Sequence, residues 1–269
     1  MNDEFRRERQ ASIASYAGDE TLQAVTSAFF LESTRARYSY NFDWLSRPII
    51  QYPQDIVALQ EIIWKVRPDL IIETGIAHGG SLVFSASMLA LLDLCDAAQE
   101  GATLDPRQPR RRVLGVDIEI RPHNRSAIDA HPMRHRIDMI EGSSIDSNVL
   151  AKVREQTQKH ARVLVCLDSN HTHEHVLAEL EAYAGLTTPG SYCCVFDTVI
   201  EDMAQDAFPD RPWSRGNNPA TAVHEFLRLL RVEGRTAADG TRLVLQVDQE
   251  IEDKLLLTVA PGGYLRRPA

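Results

Sequence analysis

Apolar positions change their spacing near residue 53 of this chain. From there on, short apolar runs alternate with stretches in which apolar side chains recur every three or four residues. These are the signatures of buried strands and of amphipathic helices. Residues 54–66 (QDIVALQEIIWKV) have helical spacing and stop at Pro68, and 70–73 form a short strand pattern. Helical spacing returns over 80–95, and 96–110, polar with two prolines, reads as a loop. A strand over 113–117 ends in Asp117, and a short one over 137–140 stops before Gly142-Ser143-Ser144. Helices are predicted over 147–159, 173–185 and 219–232. The clearest strand, 163–168, ends in Asp168, and another over 191–196 ends at Asp197. Two last strands, 242–248 and 254–260, have a short polar link and are expected to pair as an antiparallel hairpin.

Strands that alternate with helices need crossover connections. The fold class is therefore α/β: a doubly wound, mainly parallel sheet, Rossmann-like, that ends in a hairpin. It occupies 54–269. Residues 1–53 lack this rhythm. A helix over 3–31 precedes the aromatic stretch Tyr38-Ser-Tyr40-Asn-Phe42-Asp-Trp44. That segment is too short to fold alone and reads as an appendage that packs on the main domain, covers a cleft or joins subunits.

With 269 residues, 43% of them hydrophobic, the chain can bury one large core. The 29 Lys+Arg against 38 Asp+Glu leave a net charge of −9, which repels a polyanion such as nucleic acid. The basic clusters 110–112 and 266–267 read as solvated loop and tail residues. Four cysteines without C-x-x-C spacing fit reduced thiols, and no apolar run suggests a signal or membrane helix. A cytoplasmic protein with no membrane partner is expected.

In a doubly wound sheet, ligands bind at the carboxyl ends of the strands. The turn Glu73-Thr-Gly75-Ile-Ala-His78-Gly79-Gly80-Ser81 leads from a strand into a helix. Its glycines bring backbone amides close to a ligand, and the helix N-terminus favours an anionic group. A tight structural turn would look the same. Asp117, one strand later, can accept hydrogen bonds from a ribose diol, or can be a surface acid. Asp168 and Asp197 end strands that should be neighbours, so their carboxylates can share a hard divalent cation, Mg²⁺ rather than zinc. His171 lies in the same loop as Asp168, and an imidazole there can take a proton from a hydroxyl. His171 and His175 also have the i, i+4 spacing of a zinc pair, whereas helix capping and surface exposure account for His173 and His175.

Several of these segments together resemble the cephalosporin hydroxylase and rhamnosyl O-methyltransferase family. They are the 73–81 turn, Leu167-Asp-Ser-Asn-His-Thr-His-x-His175, Phe196-Asp-Thr198, Pro48-Ile-x-Gln-x-Pro-x-Asp55, Gly216-Asn-Asn-Pro-Ala-x-Ala-Val-x-Glu-Phe-Leu227 and Gly262-Gly-Tyr-Leu265. The resemblance runs from about residue 38 to the end. It implies a class I methyltransferase fold that binds S-adenosylmethionine (SAM), magnesium-assisted transfer of a methyl group to an oxygen, and a homo-oligomer. The acceptor would be a hydroxyl of a small molecule, most naturally the sugar of a glycosylated natural product. Residue by residue, Glu73, Gly75, Gly79, Ser81, Asp117, Ser143, Ser144 and Asp168 would hold SAM. Asp168 and Asp197 would hold the metal, and His171 would be the base. Related sugar methyltransferases carry an acid where this chain has Phe196, so Asn170, Glu201 or Asp202 would have to supplement the metal, unless it is weakly held or absent. Two other readings stay open: a SAM-binding accessory subunit of a hydroxylase, and a zinc hydrolase using the 171–175 histidines.

Overall fold

The structure, a computed structural model, describes residues 2–269. The chain runs through α1 (Asp3–Tyr16), α2 (Glu20–Arg35), β1 (Phe42–Trp44), β2 (Arg47–Ile49), α3 (Pro53–Val66), β3 (Leu70–Thr74), α4 (Gly80–Glu100), β4 (Arg112–Asp117), α5 (Pro122–Asp129) and β5 (Ile137–Glu141). It continues through α6 (Ser147–Thr157), β6 (Val163–Leu167), α7 (His173–Tyr183), β7 (Tyr192–Val195), α8 (Pro219–Val232), β8 (Gln246–Val247), α9 (Gln249–Lys254) and β9 (Tyr264–Arg266). A seven-stranded sheet is ordered β5-β4-β3-β6-β7-β9-β8, parallel from β5 to β7 and antiparallel at β9 and β8. The doubly wound expectation therefore holds, with the direction of winding reversing between β3 and β6.

Every residue of β3 and β6 is buried, as befits strands covered on both faces. Alternate side chains feed two separate cores. Ile71, Leu164 and Cys194 face α3 and α4, whereas Ile72, Val165 and Cys193 pack with residues of α7 and α8.

Four expectations are corrected. The closing strands are β8 and β9, and 254–260 is not a strand. That apolar run packs as irregular chain because the buried Asp55 carboxylate accepts hydrogen bonds from Thr258 Oγ1 and Val259 N, which draws the segment onto α3. The single helix over 3–31 is two, broken at 17–19 around Gly18, where Asp19 caps α2 through Leu22 N. The basic clusters are structural rather than solvated, except at Arg110, which stays half-exposed against Glu100. Arg111 and Arg136 pair with the fully buried Asp93, Arg112 grips Asp138, and Arg267 is held by Asp239. Finally, the apolar helix runs beyond 95 through 96–100, and α4 is long and apolar enough to cross a membrane by length and composition. Here it is a core helix, with Leu82, Val83, Phe84, Ala86 and Leu89 wholly or almost wholly buried.

The N-terminal aromatic residues spend their faces on packing. Phe30 stacks on Tyr52 at 5.1 Å, and Tyr38 meets Phe42 edge-on at 5.0 Å. Trp44 meets Phe84 of α4 at 4.9 Å and donates its indole N–H to Ser87 Oγ. Tyr40 stays exposed under Arg37. The antiparallel pair β1–β2 is thereby pinned onto the first half of α4.

Candidate active site

Parallel pairing of β3 with β6 aligns Thr74 with Leu167, so the chain leaves both strands side by side at the switch point. Asp168 N donates to Thr74 O at 3.0 Å. Gly75, with φ +91°, follows Thr74, and a Cβ on it would overlap the Asp168 carbonyl oxygen. Only glycine lets the turn and the Asp168 loop come this close. Asp117 braces the same turn from the next strand, accepting Ile76 N at 2.7 Å and Ala77 N at 3.2 Å through one carboxylate oxygen. Ala77 is left-handed at φ 45°, so the turn relies on this support. Gly79 is left-handed too, and a Cβ there would press on Ile128. At Gly80 a Cβ would overlap the Pro48 carbonyl of β2, where the N-terminal segment crosses the start of α4.

This crossing roofs a cavity. Its walls include Glu73, Gly75, His78, Ser81, Asp168 and Phe196, and Pro48, Ile49, Ile50 and Gln51 close it from above. Arg47 locks the roof, bonding the His78 carbonyl and donating to Asn124 Oδ1 at 3.0 Å. Glu73 lies buried at the base and accepts the Ser85 hydroxyl, and burial raises its carboxyl above the usual range. Of the residues nominated for the cofactor, Glu73, Gly75, Ser81 and Asp168 line the cavity. Gly79 and Asp117 shape its turn from behind, and Ser143 and Ser144 lie outside its lining.

At the edge of the cavity, Asp168, His171 and Asp197 offer ligand atoms that all lie within 4.8 Å of one another. Pairing of β6 with β7 delivers the two aspartates, and Asp197 follows β7 in a left-handed conformation at φ 56°. His171 Nε2 lies 3.2 Å from Asp197 Oδ2. Burial, then the Asp197 charge, push the Asp168 carboxyl well above its ordinary value. A site with two converging carboxylates and one imidazole, and a strained charge balance, fits a divalent cation.

The chain matches the family described as Rhamnosyl O-methyltransferase/CmcI over residues 36–268. It belongs to that family. A rhamnosyl O-methyltransferase of Mycobacterium bovis is 27% identical over 215 residues, covering 79% of this chain and 73% of the relative. That of Mycobacterium leprae is 27% identical over 227 residues, covering 83% and 82%. Among solved structures, a CmcI described with Mg and SAM superposes with TM-score 0.51 at 17% identity, covering 86% of this chain and 78% of that one. The fold is thus that of the class I methyltransferases, and the chain is a SAM-dependent O-methyltransferase.

Within this methyltransferase the other nominated groups are already engaged. Glu201 Oε2 accepts Gly216 N and Asn218 Nδ2, and Asn170 Oδ1 accepts Thr172, and neither residue belongs to the Asp168–His171–Asp197 cluster. Asp202 lines a separate groove against α2. Nor are His173 and His175 simple capping or surface groups. His173 bonds Thr221 Oγ1 and Glu225, and His175 sits among Ser144, Ser169 and the buried Glu179. No zinc site forms from 171–175, because His175 Nε2 is directed to this cluster while His171 turns to Asp197.

One contributor was not nominated from the sequence. It is Trp213, whose indole meets the His171 ring edge-on at 4.7 Å. A Pro-Trp pair just ahead of Gly216-Asn-Asn-Pro was its only signal.

Proposed function

We propose that this enzyme methylates a sugar hydroxyl, of rhamnosyl type, on a small glycosylated molecule, with SAM as donor and Mg²⁺ assisting. The observation that carries the reading is the Asp168–His171–Asp197 cluster at the edge of a glycine-turn cavity at the sheet's switch point. The names of the mycobacterial relatives support the sugar.

When bound, SAM supplies an electrophilic methyl group and a divalent cation lowers the pKa of the acceptor hydroxyl. The 73–81 turn and the start of α4 present backbone amides to the cofactor, and the 47–51 roof keeps water from the cavity. Asp168 and Asp197 would hold the cation. His171 Nε2 lies 3.2 Å from Asp197 Oδ2, a placement that favours the tautomer with its proton on Nε2 and the lone pair on Nδ1. Nδ1 takes the proton of the hydroxyl as it attacks, and Asp197 stabilises the imidazolium that results. Asp168, Asp197 and one ring nitrogen of His171 lie within 4.8 Å of one another, so a hydroxyl held at this cluster is close to the imidazole.

Incubation with methyl-labelled SAM and a panel of rhamnosides and their aglycones tests the proposal. Label should appear on the sugar of at least one rhamnoside. SAM binding with no transfer to any sugar would favour the accessory-subunit reading instead.

A further inference from the structure

Trp213 lies in the loop between the Asp197 turn and α8, and this loop is tied to the site at unusually many points. The carbonyls of both residues that flank Trp213 are claimed by side chains. Asn217 Nδ2 donates to Pro212 O at 2.9 Å, and Asn218 Nδ2 donates to Ser214 O at 3.0 Å. Asn218 is itself buried as the cap of α8 and donates to Glu201. Glu201 also accepts Gly216 N at 2.8 Å, which depresses its carboxyl below the ordinary range. The decisive tie is Asn217. Its amide nitrogen holds the Pro212 carbonyl, while its amide oxygen accepts His173 N at 3.0 Å. One side chain thus joins the backbone beside Trp213 to the backbone just beyond His171. The two rings that this latch brings together stand at 90° with centroids 4.7 Å apart, and the exposed Arg211, two residues earlier in the loop, lies over the indole.

An exposed loop needs no such bracing for stability alone, since loops tolerate wide variation when they carry no function. We infer that Trp213 is a positioning residue: held by the Asn217 latch, its indole fixes the His171 ring in the orientation from which Nδ1 meets the acceptor hydroxyl. The inference rests on the proposed role of His171. It adds that the ring is oriented from two sides, by the Asp197 carboxylate at Nε2 and by the indole against the ring. A loss of the indole leaves the imidazole free to rotate about the Asp197 contact. Misplacement on the ångström scale costs roughly 10²-fold in rate without touching the cofactor.

The test is a double-mutant cycle on the full-length enzyme, with a simple rhamnoside such as p-nitrophenyl α-rhamnoside as acceptor. Trp213→Leu should lower kcat by roughly 10- to 100-fold with SAM affinity unchanged. Trp213→Phe, which keeps a flat ring, should recover most of the rate. In a His171→Asn background, Trp213→Leu should cost nothing more, because the residue it serves is gone. Asn217→Ala releases the latch without removing the indole and should show the same loss confined to kcat, which covers the case of a poorly folding Trp213→Leu. The ¹³Cε1–¹Hε1 resonance of His171 should also lose the ring-current shift imposed by the indole in Trp213→Leu. A normal kcat in Trp213→Leu beside a crippled His171→Asn overturns the inference and leaves the base in place. So does an equal, additive loss in both backgrounds. A near-normal His171→Asn removes the base, and the inference with it.

Discussion

Asp55 gives a stability test whose size can be worked out in advance. It lies fully buried at the start of α3 and accepts hydrogen bonds from Thr258 Oγ1, from Val259 N at 3.0 Å and from Tyr264 Oη at 2.7 Å. Two pieces of sequence more than 200 positions apart, around Asp55 and Tyr264, meet in this one carboxylate. Burial outweighs the three donors and raises its pKa from 3.8 to about 6. A carboxyl with a raised native pKa binds more protons folded than unfolded, so stability is greatest below the unfolded value and falls as pH rises. The window runs from about pH 4 to about pH 6. A shift of about two units, at about 1.4 kcal/mol each, removes about 3 kcal/mol across it. Asp55→Asn cannot ionise. Its amide also offers a donor where Val259 N–H or the two hydroxyls need an acceptor, which costs about 1–3 kcal/mol at any pH. Urea unfolding of both proteins should therefore show the variant weaker by about 1–3 kcal/mol near pH 4, with the difference moving by about 3 kcal/mol in the variant's favour towards pH 7, so that it vanishes or reverses. Titrating groups not coupled to Asp55 cancel in the difference. A gap that stays constant over this range would refute the raised pKa.

Other outcomes follow from the same geometry. Gly80→Ala places a methyl against the Pro48 carbonyl, and should cost about 1–3 kcal/mol of stability by calorimetry and weaken SAM binding by lifting the roof. Asp117→Ala removes the brace from the left-handed turn and should raise the SAM Kd at least tenfold by titration calorimetry; unchanged binding would show that the turn stands without it. Asp168→Ala should abolish Mn²⁺ binding followed by electron paramagnetic resonance, with Mn²⁺ as the Mg²⁺ probe; full activity after exhaustive EDTA treatment would remove the metal from the mechanism.

The parts of this protein that could be read from sequence are those governed by local spacing. Fully buried strands such as β3 and β6 are continuous apolar runs, and the acids that close them stand out against the glycines that follow. That was enough for the winding of the sheet and for the meeting of Asp168 with Asp197. The closing strands were misplaced because 254–260 is as apolar as a strand, while the force that bends it off the sheet comes from Asp55, some 200 residues away in the chain. Arg111 and Arg267 looked solvated because their partners, Asp93 and Asp239, are distant in sequence. Trp213 escaped notice for a similar reason. Its contact with His171 is made by a loop whose shape depends on side-chain amides, and neither periodicity nor propensity reports on those.

The central claim is that His171 accepts the proton of the acceptor hydroxyl, and His171→Asn tests it most directly. Asparagine keeps a polar amide in the loop beside Asp197, yet it cannot act as a base near neutral pH. Measured with the first rhamnoside found to accept label, kcat should fall roughly 10²–10⁴-fold, the usual contribution of a positioned acid–base group, while the Kd for SAM stays within about twofold. A kcat close to wild type in His171→Asn would contradict the account, whatever other substitutions at this position do.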